Sequence, residues 1–396
     1  MKKLSPALLW FALGLAGCTW AAESPLPKFA AQTIDSTVAI GYGVAIGDVD
    51  GDGKPDILLA DKRQIVWYRN GDWKKFVMAA DLTPHDDVCI AARDINGDGR
   101  VAVAVGANWN PAETSDLGQS GAVYYLVRPK NPAQRWEPIK LDHEPAVHRM
   151  AWIKAADGKY QLVVAPLHGR GNKNGQGAGA RILAYDVPAD PHGQWSTHLI
   201  DDSMHVTHNF DLVHWQGGGD EDILLGGLEG IALLRRYGNA WSKQAITSGS
   251  KGAASEVRMG KSTAGRFLAA VEPWHGNMLV VYTPSGQGES WQRSVLADDL
   301  NEGHGLACAD FLGLGSDQIV VGWRNPNAKK KVGIRLYVPP DSPGSPWKSH
   351  VIDDNTMACE DLKVADLDGD GRPDIVASGR NTHNLVIYWN KTGMKK

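Results

Sequence analysis

Asp48-Val49-Asp50-Gly51-Asp52-Gly53-Lys54-Pro55-Asp56, followed by the apolar run Ile57-Leu58-Leu59, is the stretch that decides how this chain is read. It returns as Asp94-Ile95-Asn96-Gly97-Asp98-Gly99 and as Asp366-Leu367-Asp368-Gly369-Asp370-Gly371-Arg372-Pro373-Asp374-Ile375-Val376. An acidic turn recurring ahead of a short apolar strand marks a repeat architecture. A second marker is a tryptophan opening a short strand that ends in Ile or Leu and often Asp, at Trp73, Trp136, Trp195, Trp241, Trp291 and Trp347. Between the markers lie a short apolar strand and an aromatic-rich one such as Ile65-Val66-Trp67-Tyr68, so each repeat carries four strands.

Working outward, inner strands are expected to begin near Tyr42, Cys89, His148, His208, Glu256, His304 and Glu360, which makes seven repeats, yet only six own a Trp-led outer strand. Phe29-Ala30-Ala31-Gln32-Thr33-Ile34-Asp35 has the apolar ending of Trp347–Asp353 and supplies the missing outer strand of the last repeat. The expected fold is all-β: a seven-bladed β-propeller of four-stranded blades over residues 26–392, closed by that N-terminal strand. Radial closure leaves only short, protected edges.

Composition agrees. The 396 residues carry 41 Lys and Arg against 45 Asp and Glu, a net charge of −4, with 43% apolar residues. Such a chain buries a large core and lacks the basic surface of a nucleic-acid binder. The 45 glycines and 15 tryptophans suit many short strands joined by tight turns. Lys2 and Lys3 precede an apolar run from Leu8 to Ala16, the length of a signal-peptide core and too short to span a bilayer. Residues 1–22 therefore read as an export signal. Leu15-Ala16-Gly17-Cys18 resembles the lipobox of bacterial lipoproteins, with ordinary cleavage near Ala21 or Ala22 as the alternative. The expected location is the periplasm or outer membrane of a Gram-negative bacterium, with membrane contact only through a lipid anchor at Cys18. Cys89, Cys308 and Cys359 are then the remaining cysteines, an odd set without a disulfide framework.

The acidic turns put hard carboxylate oxygens at alternate positions, with glycine permitting the bend, which suits Ca²⁺. They resemble the calcium loops of the FG-GAP/VCBS repeat family. Asp48, Asp50, Asp52 and Asp56 are complete in the first blade, and Asp366, Asp368, Asp370 and Asp374 in the last; the second keeps Asp94, Asn96 and Asp98 but has Ala102 at the ninth place. If these turns join the first two strands of a blade, the loops leading into the first strand and out of the second lie on the opposite face. Those loops bring Tyr42, His85, His148, His205, His208, His304 and Glu360, together with Trp109, His168, Arg170, Glu229, Trp274, His275, Trp323, Arg324 and Arg380. A polar funnel walled by aromatic rings follows. Trp109, Trp274 and Trp323 suit stacking on sugar faces, while Arg324, Arg380 and His85 suit holding sugar oxygens. His198 and His350, at matching outer-strand positions, read as hydrogen-bonded structural residues.

Met204-His205-Val206-Thr207-His208-Asn209-Phe210-Asp211, Glu272-Pro273-Trp274-His275-Gly276-Asn277, Asn301-Glu302-Gly303-His304-Gly305-Leu306-Ala307-Cys308-Ala309-Asp310 and Met357-Ala358-Cys359-Glu360-Asp361-Leu362-Lys363 resemble the propeller domain of aldos-2-ulose dehydratases, which act on 1,5-anhydrofructose and related sugars, and its bacterial relatives. The resemblance implies dehydration of keto-sugars by an enzyme carrying structural divalent ions and zinc. The fungal enzymes continue into cupin-like domains, whereas this chain ends with its seventh blade. A looser likeness is to ulvan-type polysaccharide lyases. Both lead to β-elimination, which needs a base, a stabiliser for the enolate and an acid for the leaving oxygen. His148 and His168 are the expected base and its partner, with Arg170 holding a substrate oxygen and Tyr42 a competing acid. His208, His275, His304 and Glu360 are the expected ligands of a Zn²⁺ or Mn²⁺ ion. The chain thus reads as an exported carbohydrate lyase or dehydratase, the other class being a non-catalytic glycan-binding or adhesion propeller.

Overall fold

The computed structural model describes residues 26–154, 158–217, 221–238, 240–249, 252–263, 265–285, 290–340 and 345–393; the expected export signal over residues 1–22 and the lipobox-like stretch ending at Cys18 lie outside them. Seven four-stranded antiparallel sheets form the blades. The inner strands are Gly43–Gly47, Cys89–Arg93, Val147–Lys154, Thr207–Val213, Glu256–Ser262, Gly303–Ala309 and Cys359–Ala365, each within a residue of its expected start. Six blades run inner to outer in chain order. The seventh takes Phe29–Asp35 as its outer strand, paired antiparallel to Asn384–Asn390 from Phe29 opposite Asn390 onward, so the chain's first strand closes the ring as expected. No helix of the described residues is long and apolar enough to cross a membrane.

The apolar core is divided among the seams between blades. In the second strand of blade one, Leu58 and Ala60 pack toward blade two with Ile90, Val103 and Trp136, while Ile57 and Leu59 face blade seven with Val376 and Ile387. Side chains alternate across a strand, and here both faces of the sheet are covered. The second strands therefore read as continuous apolar runs rather than alternating ones. Leu58 is fully buried, so truncation to alanine would cost about 2–5 kcal/mol through the cavity left in that seam. Cys89, Cys308 and Cys359 are free thiols, the first and last of them buried. His198 pairs with Asp186 at 2.6 Å on the outer edge of blade three, in keeping with a structural role.

Candidate functional site

The inner strands differ where they enter the ring. In blades three, four, six and seven the pairing of inner and second strands slips by one residue at His148, at His208 and Asn209, at His304 and at Glu360. In blades one, two and five the register runs through without a slip. A bulge re-aims a side chain that regular pleating would send into a seam. Four blades thus turn a polar residue toward the axis at the same level. His275 joins from the loop leaving the second strand of blade five, where it has φ 49°.

The result is a chain of touching imidazoles. Ring centroids of His148 and His208 are 4.6 Å apart, those of His208 and His275 4.4 Å, and His304 lies 5.2 Å from both His208 and His275. Each bulge histidine is tied to the neighbouring blade: Nδ1 of His148 donates to the carbonyl of His208 (3.0 Å), that of His208 to the carbonyl of Ser255 (2.7 Å), and that of His304 to the carbonyl of Glu360. A carbonyl only accepts, so Nδ1 carries the proton and Nε2 keeps its lone pair. Nε2 of His208 is buried with no hydrogen-bond partner, which costs on the order of 1–3 kcal/mol in a neutral site. His208, His275 and His304 each offer one nitrogen within 4.8 Å of the others, close enough to share one cation. Burial holds His148 and His304 well below the ordinary histidine range. His275 is lowered to about 2, by burial first and then by its neighbours His208 and Arg324. The cluster is therefore neutral near pH 7, the protonation state that ligates metal or accepts a proton.

Trp109 stacks on His148 at 4.9 Å and Trp274 meets His208 edge-on at 5.2 Å, so both stand where the funnel wall was expected. Tyr42 donates to Asp86 and lies under the Arg380 guanidinium, 5.3 Å from its ring centre. Burial, with Asp86 beside it, raises the Tyr42 pKa and keeps its proton on. Beneath the imidazoles the axis continues as a cavity of about 400 Å³ lined by Arg149, Asn209, Asp211, Arg258 and Lys363.

Three sequence expectations need correction. Glu360, expected as the carboxylate ligand, is instead clasped by Arg324 and Arg380, and its contribution to the cluster is the backbone carbonyl that orients His304. Two guanidinium groups satisfy its charge better than a distant shared cation would. Trp323, expected in the funnel wall, is buried in the seam of blades five and six, with Nε1 donating to the Lys331 carbonyl. Arg170, expected beside His148, reaches Glu144 and lines a separate cavity with the outer-strand residues Lys140 and Thr197. His168, in the loop leaving the second strand of blade three, pairs through its backbone with Val206, and its buried Nδ1 has no hydrogen-bond partner. His85, its backbone carbonyl bonded by Thr83, stands half-buried in the loop into blade two. The positions of Arg324 and Arg380 beside His275, Glu360 and Tyr42 show what spacing did not: both are already engaged by carboxylates.

On the opposite face the acidic turns of blades one and seven bring Asp48, Asp50 and Asp56, and Asp366, Asp368 and Asp374, within reach of a common cation. The first acid of each organises the turn, since Asp48 accepts from Gly51 and Gly53 N–H and Asp366 from Gly369 and Gly371. These glycines have φ between 75° and 85°, which a side chain would strain. Burial first, then the neighbouring carboxylates, raises Asp56 to about 7 and Asp374 to about 6. Asp52 sits in the exposed part of the first turn, and Asp370 pairs with Arg372. In blade two Asp94 still accepts from Gly97 and Gly99, but Arg128 reaches Asp98 at 2.5 Å, so a guanidinium stands where charge balance is wanted. Blade six holds a turn that acid counting misses. Asp310 accepts from Leu314 and Gly315, and Gln318, at the ninth place, accepts from Leu312. Leu312 and Leu314 replace the middle acids, so the loop shape persists without the charge.

The family model of the aldos-2-ulose dehydratase β-propeller domain matches residues 120–285, and that of an FG-GAP-like repeat matches residues 48–105. The first match runs from the third strand of blade two to that of blade five and takes in His148, His208 and His275. No curated protein matches the chain. Among solved structures, a chain from the crystal of BBS1N in complex with ARL6DN, soaked with mercury, superposes with a TM-score of 0.58 at 16% identity, covering 94% of this chain and 99% of that one. The lead-soaked crystal of the same complex gives 0.57 at 14% identity, with 94% and 100% covered. At such identities the likeness is one of fold. The chain is a seven-bladed β-propeller with an FG-GAP-like repeat in its first two blades and, from blade two to blade five, sequence similarity to the propeller domain of aldos-2-ulose dehydratase.

Proposed function

We propose that this protein is an exported carbohydrate lyase or dehydratase that carries out β-elimination on a keto-sugar at the axial histidines. The observation that carries the reading is the buried, partnerless Nε2 of His208 within a set of three imidazoles, two of which are fixed through Nδ1 on backbone carbonyls. That donor set fits a transition metal, with His208, His275 and His304 as the residues that would hold it. Bound there, a Zn²⁺ or Mn²⁺ ion supplies Lewis-acid polarisation of a substrate carbonyl. The match to an aldos-2-ulose dehydratase propeller supports a keto-sugar as the substrate class.

The chain's own groups supply the rest. His148 has its Nδ1–H committed to the His208 carbonyl, so its Nε2 is the proton acceptor and serves as the base. Its stacking on Trp109 fixes the ring plane. Trp109 and Trp274 offer apolar faces to a pyranose ring and exclude water from the reacting carbon. Tyr42, protonated and hydrogen-bonded to Asp86, is the acid for the leaving oxygen across the axis. We propose Ca²⁺ for the acidic turns of blades one and seven, as staples between strands rather than as part of the chemistry.

The test is to measure bound metals by mass spectrometry after exhaustive dialysis and, in the same preparation, to incubate with 1,5-anhydrofructose and glucosone while following ultraviolet absorbance of an unsaturated product. Retained zinc or manganese with turnover supports the lyase. Calcium alone, with no turnover on either sugar, would favour the glycan-binding propeller.

A further inference from the structure

Blade three carries a second polar constellation away from the axis. Glu144, in the loop leading to its inner strand, has a side chain only 7% exposed and binds two guanidinium groups from separate segments. Arg170 Nε and Nη2 lie 3.2 and 3.0 Å from Oε2, and Arg181 Nη1 lies 2.7 Å from Oε1. One buried carboxylate thus fixes two arginines while leaving Arg170 Nη1 and Arg181 Nε and Nη2 without a hydrogen-bond acceptor among the described residues. Both arginines line a cavity of about 540 Å³ whose wall also holds Lys140, Leu117 and Thr197. The Lys140 ammonium has no hydrogen-bond or ion-pair partner among the described residues. The wall carries Lys140, Arg170 and Arg181 against Asp142 and Glu144, a surplus of one positive charge.

An arginine pair needed only to hold the fold would be matched charge for charge, as Arg93 is with Glu221 and Arg293 with Glu272. Here one carboxylate serves two arginines, and both side chains remain nearly half exposed, 48% and 46%. Guanidinium groups held in place by a buried partner lose little freedom on taking a planar oxyanion, which is how bidentate carboxylate recognition is built. Leu117, 37% exposed, adds an apolar surface beside the charges. The loops that form the cavity open on the same face as the histidine cluster. Lys140 and Thr197 belong to outer strands, three strand spacings of about 4.8 Å from an inner strand.

We propose that this cavity is a subsite for the carboxylate of an acidic sugar, so that the protein engages acidic oligosaccharides that extend outward over blade three from the axis. The idea rests on the carbohydrate reading above, but its test reads binding rather than turnover. Isothermal titration calorimetry would compare a glucuronate-containing tetrasaccharide, its carboxyl-reduced counterpart and a sulfated neutral tetrasaccharide, using the full protein with its metals. The acidic tetrasaccharide should bind, weaken as salt is raised, and lose at least about tenfold in affinity in Arg181→Ala and a smaller factor in Lys140→Gln. The carboxyl-reduced sugar should bind at least tenfold more weakly. The preference for the acidic over the carboxyl-reduced sugar should persist in His304→Ala whatever that variant does to turnover, which separates this proposal from the catalytic one. Lys140 has no protein partner to lose, so its variant reports binding without a folding effect. Equal affinity for the acidic and reduced sugars, no binding of either, or unchanged affinity in both variants would overturn the proposal. Preference for the sulfated over the carboxylated sugar would also overturn it as stated.

Discussion

The two faces of the disc solve opposite electrostatic problems. On the face of the acidic turns, carboxylates are gathered until they repel, and Asp56 and Asp374 are pushed up into the range of neutral pH by burial and by their neighbours. On the other face, imidazoles are gathered, but each bulge histidine is held neutral by burial and oriented by a carbonyl of the next blade. The first arrangement gains stability when a hard cation arrives; the second is already rigid and presents lone pairs. In the proposed function, stability and chemistry would then sit at opposite ends of the same inner strands.

If that division holds, the two faces should respond independently. His304→Ala should lower turnover on a keto-sugar by about 10²–10⁴-fold, the range for losing a metal ligand or acid–base group. Calcium content and melting temperature should stay near wild type. Loss of calcium in this variant would break the separation. The next effect belongs to the acidic face: chelation should destabilise the fold by about 2–4 kcal/mol per well-filled site, since a ligand bound only by the native state stabilises it by mass action. Differential scanning calorimetry with and without EDTA reads this directly, and Asp374→Ala should reproduce part of it while leaving axial metal in place. An unchanged melt after confirmed calcium removal would refute the staple role.

Asp87 sharpens the comparison, because it is a carboxylate buried on the histidine face outside any acidic turn. It is 1% exposed, one oxygen lacks a partner, and burial raises its pKa to about 7. The folded state therefore binds a proton between about pH 4 and 7 that the unfolded chain has released, so this group makes stability fall as pH rises through that window. Asp87→Asn should flatten that slope and be the more stable protein at pH 8, by on the order of 1 kcal/mol. Urea melts at pH 5 and pH 8 would show it, and a parallel slope in both proteins would contradict it. The smallest effect is expected in blade two. Arg128→Ala removes a partly exposed pair with Asp98 and should cost less than about 1 kcal/mol. Calcium titration should still report two sites rather than three, because Ala102 offers no ninth-position oxygen.

The fold was open to reading because its signals are local. The acidic turn, the apolar second strand and the Trp-led outer strand each lie within about ten residues, and their recurrence counts the blades. Even the closing strand Phe29–Asp35 announces itself by its likeness to Trp347–Asp353. The candidate site was readable as a set of residues on one face, because strand direction alone decides which loops share a face. Pairings within it were not. That Arg170 turns outward to Glu144, that Trp323 sinks into a seam, and that Glu360 meets Arg324 and Arg380 depend on side chains from different blades competing for the same partners.

The sequence alone thus determined seven blades, their order, the ring closure and the residue types lining each face, since these follow from hydrophobic period, turn chemistry and chain direction. Only the tertiary structure decided which histidines converge. The one-residue bulges at His148, His208, His304 and Glu360 arise from pairing between inner and second strands. Their imidazole tautomers are set by carbonyls of a neighbouring blade some fifty residues away. Hydrogen-bond partners so distant along the chain leave no mark in local spacing, because they meet only once the ring has closed.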